Sequence, residues 1–274
     1  MRTTIKDIAN KTNLSTTTVS LVLNGKGDKI SGATRELVIN TARELHYRPN
    51  QLAIGLVKRH TCTLGLVLPN ITSWFFSHLV RAIEDEAAKQ DYQIILCHSA
   101  DRCERDISSV NMLMDKGVDG IIFLAAIEST AQHIKGVCQI AEQAGVPIVL
   151  IDRTTDVSGV STVTLDNHLG GYMAVRHLLD EGHRRIGVIT GPVNAILTQA
   201  RMGGVKKALR EEGILPESSR CFEGNYQSDS GVLAADYFAG TDVTAVFSFN
   251  DMMALSFIRR ATDLGFQIPR DLSV

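Results

Sequence analysis

A chain of 274 residues with 44% hydrophobic content is long enough to bury one large core or two modest ones. Its formal charge of -2 conceals an asymmetry: residues 1–60 carry ten Lys or Arg against four Asp or Glu, leaving eighteen against twenty-six in the rest. A basic segment on an acidic body directs the first sixty residues at a polyanion and keeps the body off it. Five cysteines, an odd number without a Cys-x-x-Cys pair, speak against a disulfide framework and a zinc site. The N-terminus has no signal-peptide core and no run is long enough to span a membrane, so the protein is expected in the cytoplasm, with no membrane partner, metal or cofactor.

Taken in order, Thr4 can cap a first helix whose third position is Asp7, and Ile5, Ile8 and Ala9 give that helix one apolar stripe. It is expected to end near Thr12-Asn13. Leu14 sits in a tight turn and Ser15 can cap a second helix, buried through Val19, Val22 and Leu23 and stopped by Asn24-Gly25. After a polar loop, Ser31 or Thr34 caps a third helix carrying Leu37, Val38, Thr41, Ala42 and Leu45 at helical spacing. Two short helices with so tight a turn read as helix-turn-helix, although three short helices also suit a small interaction bundle.

The stretch from Tyr47 to Lys58 separates this segment from a strand and helix rhythm. Apolar runs recur at Leu64–Leu68, Ile94–Cys97, Gly120–Leu124 and Pro147–Ile151, their starts 30, 26 and 27 residues apart, with amphipathic patterns between; Phe76, Leu79, Val80, Ile83 and Ala87 mark the first helix. Further strands are expected at Ile186–Thr190 and Ala245–Phe249. Helices are expected at about Asn167–Glu181, Ala200–Glu212, Ser228–Ala239 and Asp251–Leu264. Strands without polar alternation, joined by helices, predict an α/β architecture with parallel sheets covered on both faces.

Such sheets bind ligands beyond the carboxyl ends of their strands. The segments there are Pro69 to Phe76, Asp152-Arg153, Thr190-Gly191-Pro192 and Asn250-Asp251. Their aromatic, amide and charged groups suit a sugar, nucleoside or similar polar small molecule. The sequence holds no P-loop, no Gly-x-Gly-x-x-Gly after a strand, no His-Glu-x-x-His and no Gly-x-Ser-x-Gly, so no enzyme activity is expected.

Thr4-Ile5-Lys6-Asp7-Ile8-Ala9, Leu14-Ser15-x-x-Thr18-Val19-Ser20-x-Val22-Leu23-Asn24-Gly25, Ser31-x-x-Thr34-Arg35 and Tyr47-x-Pro49-Asn50 together resemble the headpiece signature of the LacI/GalR (lactose-repressor) family. The resemblance continues through Asp166-Asn167-x-x-Gly170-Gly171, His177-Leu178-Leu179-x-x-Gly182-His183, Gly191-Pro192 and Arg201-x-x-Gly204. It implies a DNA-binding headpiece (residues 1–48), a hinge helix and linker (49–60) and a two-lobed effector-binding and dimerisation domain of the periplasmic-binding-protein type (61–274). The implied function is a transcriptional regulator, a repressor, that binds a palindromic double-stranded operator as a homodimer and is switched by a small sugar-like effector. A solute-binding or sugar-handling protein on the same α/β body is the alternative.

Carried over by position, Thr16, Thr17 and Leu21 would face base edges in the major groove. Thr4, Ser15, Thr18, Ser20, Asn24, Ser31, Thr34 and Tyr47 would fix register on phosphates. Relatives commonly have Arg where Leu21 stands, and a lost bidentate contact to guanine removes about 1 to 3 kcal/mol of discrimination at that base pair. In the hinge, Asn50, Ala53 and Leu56 match the family's DNA-contacting positions, with Leu56 wedging into the minor groove. Gly55 there should weaken the helix by roughly 0.5 to 1 kcal/mol relative to Ala, so Gly55→Ala should tighten operator binding.

For the effector the resemblance implies Ser73, Phe75, Asp152, Asp166, Arg201 and Asn250, with Asp251 beside them and Arg201 foremost as a bidentate donor. Trp74, the only tryptophan, is either a stacking platform or a lobe-interface residue. Ala195, Ile196 and Leu197 stand where purine-responsive members carry polar side chains, which disfavours a purine. In relatives the terminal Ile268 to Val274 leads into another strand, so a truncated second lobe is expected.

Overall fold

The computed structural model describes residues 3–26, 29–48, 60–71, 73–153, 155–215 and 220–274. The hinge residues Asn50, Ala53, Gly55 and Leu56 lie outside them. The chain divides into two compact units, Met1–Thr61 and Cys62–Val274.

The first unit holds α1 (Ile5–Thr12), α2 (Thr16–Leu23) and α3 (Gly32–Glu44). Its helices start and stop where local chemistry dictates. The Asp7 carboxylate accepts from both the N–H and the hydroxyl of Thr4 at 2.8 Å, and these bonds hold its pKa below the usual carboxylate range. Asn13 adopts φ 54°, the left-handed conformation that ends α1, and asparagine tolerates it well. Ile8, Val19, Val22, Val38 and Ala42 form the core, with Leu14, Leu45 and Tyr47 packed on it. Leu37 departs from expectation, being 49% exposed. It lies about 100° around the helix from Val38, so the buried stripe runs Val38, Thr41 and Ala42, and Ile39 packs on its flank.

The second unit has two parallel sheets. In the first lobe β1 (Thr63–Leu68), β2 (Gln93–His98), β3 (Gly120–Phe123), β4 (Ile148–Ile151) and β5 (Ser161–Val163) lie in the order β2-β1-β3-β4-β5. Leu66 and Leu68 join Phe76, Leu79 and Ile83 of α4 (Trp74–Lys89) on one face. Val67, Ile121 and Phe123 meet Val110 and Leu113 of α5 (Cys103–Asp115) and Ile134 and Val137 of α6 (Ala131–Gln143) in another cluster. Alternation along the strands thus feeds two apolar layers, which is why these strands lack polar positions.

The second lobe places β6 (Ile186–Thr190) between β7 (Cys221–Glu223) and β8 (Ala245–Ser248). Its helices are α7 (Asn167–Asp180), α8 (Ile196–Glu211), α9 (Ser228–Phe238) and α10 (Asp251–Asp263). Ser273 forms an isolated parallel bridge with Ala245. Helices α7 and α8 approach backbone to backbone: a Cβ on Gly171 would stand 2.1 Å from the Arg201 carbonyl oxygen, and one on Gly204 1.9 Å from that of His168. Helix α8 begins four residues before its expected start because Ala195, at its N-cap, makes no capping bond and gives no start signal. Strands β5 and β7, three residues each, were not foreseen; neither contains an apolar run.

Candidate functional site

In the first unit the structure groups the hydroxyls expected on DNA into pairs. Ser15 Oγ accepts the Thr18 N–H at 3.0 Å and shares a 2.8 Å hydrogen bond with the Thr18 hydroxyl. Ser31 repeats the arrangement on Thr34 at 3.2 and 2.8 Å. Ser31, and not Thr34, is therefore the cap of α3. One hydroxyl of each pair donates to the other, which leaves one O–H per pair to offer a phosphate oxygen. The Asn24 amide donates to the Ser20 carbonyl at 2.9 Å and to its hydroxyl at 3.2 Å. Thr16 and Thr17 are exposed on the first turn of α2, and Leu21, one turn on, is 39% exposed. An exposed leucine on a helix with no charged residue in its first or last turn makes a weakly polar reading surface.

The second unit contains a cleft of about 260 Å³. Ser73, Trp74, Phe75 and Phe76 enter it from the start of α4, Asp152 and Arg153 from the end of β4, Leu197 and Arg201 from α8, and Asn250, Asp251 and Leu255 from α10 and its cap. Asn225, Tyr226 and Gln227 follow β7, while Asp101 and Ile127 follow β2 and β3.

The first-lobe wall is held by charge. Arg153 Nη1 donates to Asp101 Oδ1 at 2.6 Å and to the Ala125 carbonyl at 3.1 Å, and the guanidinium carbon lies 5.7 Å from the centre of the Phe76 ring. Asp101 Oδ1 also accepts the Ile127 N–H at 3.0 Å, and Asp106 Oδ2 accepts the Ala126 N–H at 2.9 Å. Three successive residues after β3 are thus satisfied by three charged side chains. Asp106 is fully buried, and burial raises its pKa above the usual range despite the Ala126 N–H, the nearby Ser99 hydroxyl and His133.

Asp152 adopts φ 62° and its carboxylate accepts no hydrogen bond from any described residue. Burial raises its pKa, and the charges of Arg153 and Arg201 only partly oppose the shift. On the second-lobe wall Arg201 is tied down: Nη1 donates to the Phe249 carbonyl and Nη2 to Asn167 Oδ1, with the guanidinium 5.4 Å from the Phe249 ring centre. The Tyr226 hydroxyl pairs with Thr198 at 2.8 Å, and its ring occupies the space a Cβ on Gly191 would need. Asn250 caps α10 through the Met253 N–H at 3.0 Å while its amide donates to the Tyr226 carbonyl at 2.9 Å.

Of the residues expected to touch an effector, Ser73, Trp74, Phe75, Asp152, Arg201, Asn250 and Asp251 share this cleft. Asp166 does not line it; its carboxylate caps α7 through the Leu169 N–H at 2.8 Å, the ordinary task of an acid at a helix N-terminus. Thr190, Gly191 and Pro192 are absent from the lining, because the Thr190 hydroxyl turns back onto the Gly191 carbonyl and Tyr226 stands over Gly191. Sequence reasoning missed Asp101, Ile127, Leu165 and Tyr226. Taking the residues beyond β2 and β3 as well would have found the first two.

Residues 61–273 match the family described as periplasmic binding proteins and sugar binding domain of LacI family, and residues 4–50 match bacterial regulatory proteins, lacI family. The chain is 35% identical to catabolite control protein A of Priestia megaterium, covering 100% of this chain and 82% of that protein. It is 34% identical to the HTH-type transcriptional repressor PurR of Vibrio vulnificus, covering 99% and 80%. Among solved structures, a lac repressor dimer bound to operator and an anti-inducer matches with a TM-score of 0.86 at 26% identity, and a complex of the transcriptional regulator CelR with cellobiose with 0.67 at 30%; each spans 100% of this chain and 82% of the other. Joining a helix-turn-helix unit to a ligand-binding α/β unit, the chain belongs to the LacI family of DNA-binding transcriptional repressors regulated by small effectors.

Proposed function

We propose that this repressor binds a two-fold symmetric operator as a homodimer in the cytoplasm and that a sugar or sugar derivative in the cleft changes its affinity for that operator. The working division is 1–48 for DNA reading, 49–60 for the hinge and 61–274 for effector binding and dimerisation. Thr16, Thr17 and Leu21 read base edges, while Thr4, Ser15, Thr18, Ser20, Asn24, Ser31, Thr34 and Tyr47 set register. In the hinge, Asn50, Ala53 and Leu56 reach the DNA.

The observation that carries the effector reading is the cleft's composition. Trp74 and Phe75 offer exposed aromatic faces, and Asp152, Asn250, Asp251 and Ser73 offer polar groups around them. Leu197, apolar and almost fully buried, occupies the wall next to Arg201. That surface suits the apolar face of a pyranose better than the edge of a purine, which needs hydrogen-bonding partners there.

Rounds of gel-shift selection from random duplex should enrich a palindrome. Adding sugars singly to the selected complex should then shift its affinity for at least one of them. Failure to enrich any symmetric site at moderate salt overturns the operator reading; indifference to every sugar overturns the effector reading.

A further inference from the structure

Helix α2 presents an uncharged face. Val19 and Val22 are buried in one cluster with Ile8 and Val38, which leaves Thr16, Thr17 and Leu21 exposed, and Thr17 and Leu21, four residues apart, lie one above the other. No charged residue stands between Lys11 and Lys26, and Lys11 is paired with Glu44 at 2.6 Å. The other polar side chains of the helix are engaged within the protein, Thr18 by Ser15 and Ser20 by the Asn24 amide. The unit around this face is complementary to DNA in charge, with ten Lys or Arg against four Asp or Glu in the first sixty residues. A basic unit thus carries toward a polyanion a helix with no guanidinium, ammonium or carboxylate of its own.

We infer that Leu21 reads the C5-methyl group of a pyrimidine in the major groove, so that each operator half-site carries thymine, or 5-methylcytosine, against it. The inference deepens the operator reading above and rests on it. Guanine is picked out by a bidentate Arg or Lys, adenine by a bidentate Asn or Gln and cytosine by an accepting Asp or Glu. Helix α2 contains none of these. Threonine hydroxyls serve any base, so Thr16 and Thr17 hold the helix on base edges without choosing among them. The choice falls to Leu21. Its isobutyl group gains by covering a methyl and loses by covering the cytosine amine or the guanine carbonyl, which would be stripped of water with no partner. Carrying both methyl and amine, 5-methylcytosine falls between thymine and cytosine. Leu21 is therefore a specificity-determining residue that acts by apolar contact, and the Thr17 methyl beside it widens the same patch.

The test uses the full chain and the palindrome enriched from random duplex, remade with deoxyuridine for thymidine at one symmetric pair of positions at a time. Uracil pairs as thymine does and lacks only the methyl. At one pair of positions affinity should fall about fifteenfold, about fourfold for each methyl uncovered in the two half-sites. Placing cytosine there should weaken binding further, and 5-methylcytosine should recover about fourfold over cytosine. Leu21→Ala should bind the thymine duplex about as weakly as the wild type binds the uracil one and be indifferent to the replacement, while Leu21→Met, which keeps the apolar reach, should stay sensitive. Thermal melts verify that the variants fold, and the uracil comparison on the wild type decides without them. Four outcomes overturn the inference alone: no position sensitive to uracil; a sensitivity that persists in Leu21→Ala, which places the methyl effect in DNA shape; 5-methylcytosine bound no better than cytosine; or a melting temperature whose rise with protein concentration disappears in Leu21→Ala, which assigns Leu21 to a second copy of the chain. Failure to enrich any palindrome overturns the operator reading and the inference with it.

Discussion

The two lobes of the effector unit fix their halves of one cleft by different physics. In the first lobe, Asp101, Asp106 and Arg153 bond three successive backbone groups after β3, so its wall is held by a few charge-assisted hydrogen bonds. In the second lobe, Gly171, Gly204 and Gly231 let helices meet at backbone distance, and Arg201 sits on one of those crossings. The first arrangement is sensitive to charge and pH, whereas the second is sensitive to volume. A switch built from both can respond to a ligand on one wall without loosening the other.

The largest test of that contrast is Gly204→Ala. The added methyl would lie 1.9 Å from the His168 carbonyl and 2.6 Å from the Tyr172 nitrogen, both backbone atoms that cannot turn aside. Helices α7 and α8 must part, at a cost of about 3 kcal/mol, read as a lowered denaturation midpoint. A wild-type midpoint would show that the crossing is loose and end the comparison. Next comes Asp101→Asn, which keeps an acceptor for Ile127 but strips Arg153 of its ionic partner. With Arg153 12% and Asp101 25% exposed, the pair is largely buried. Its loss should cost about 2 kcal/mol. Effector affinity should fall as well, which a defect of packing elsewhere would not produce. Gly65→Ala sharpens the contrast from the other side: the atoms nearest its methyl would all belong to the Leu113 side chain, the first at 2.5 Å, so side-chain repacking should limit the cost to about 1 kcal/mol.

The regions differ equally in how far the sequence discloses them. The DNA-reading unit was legible almost residue by residue because caps and turns are local: Ser15, Ser31 and Asn13 act on atoms within four residues of themselves. Strand positions and ligand-end residues were legible where strands were apolar runs, which gave Ser73 to Phe76, Asp152-Arg153 and Asn250-Asp251, whereas the order of the strands within each sheet was not. Tyr226 was invisible because the strand before it has three residues and no apolar run. The ties of Arg153 to Asp101 and of Arg201 to Asn167 span 52 and 34 residues, a range at which spacing carries no signal. Arg201, expected to serve an effector, lines the cleft and also has two nitrogens tied to its own lobe, ties that only the packed structure contains.

The smallest effect is the most diagnostic of the charged wall. Asp106 is fully buried with Oδ1 unpartnered among the described residues, and burial lifts its pKa above that of an unfolded-chain aspartate. Between those two values the folded state binds the proton more tightly than the unfolded state. Stability is therefore greatest below the window, falls as pH rises through it, and levels off above the folded pKa. Asp106→Asn keeps an acceptor for the Ala126 N–H and cannot ionise. Asparagine should thus be the worse residue at low pH, where a neutral carboxyl already fits, and equal or better by up to about 1 kcal/mol above the window. Melting both proteins from about pH 4 to about pH 8 reads this group together with His133, whose Nε2 lies 3.3 Å from Asp106 Oδ2, since the titrations away from that pair are common to the two. Parallel curves would mean that the Asp106 charge is tolerated in place; converging or crossing curves would show that the first lobe carries a titratable strain beside its charged wall.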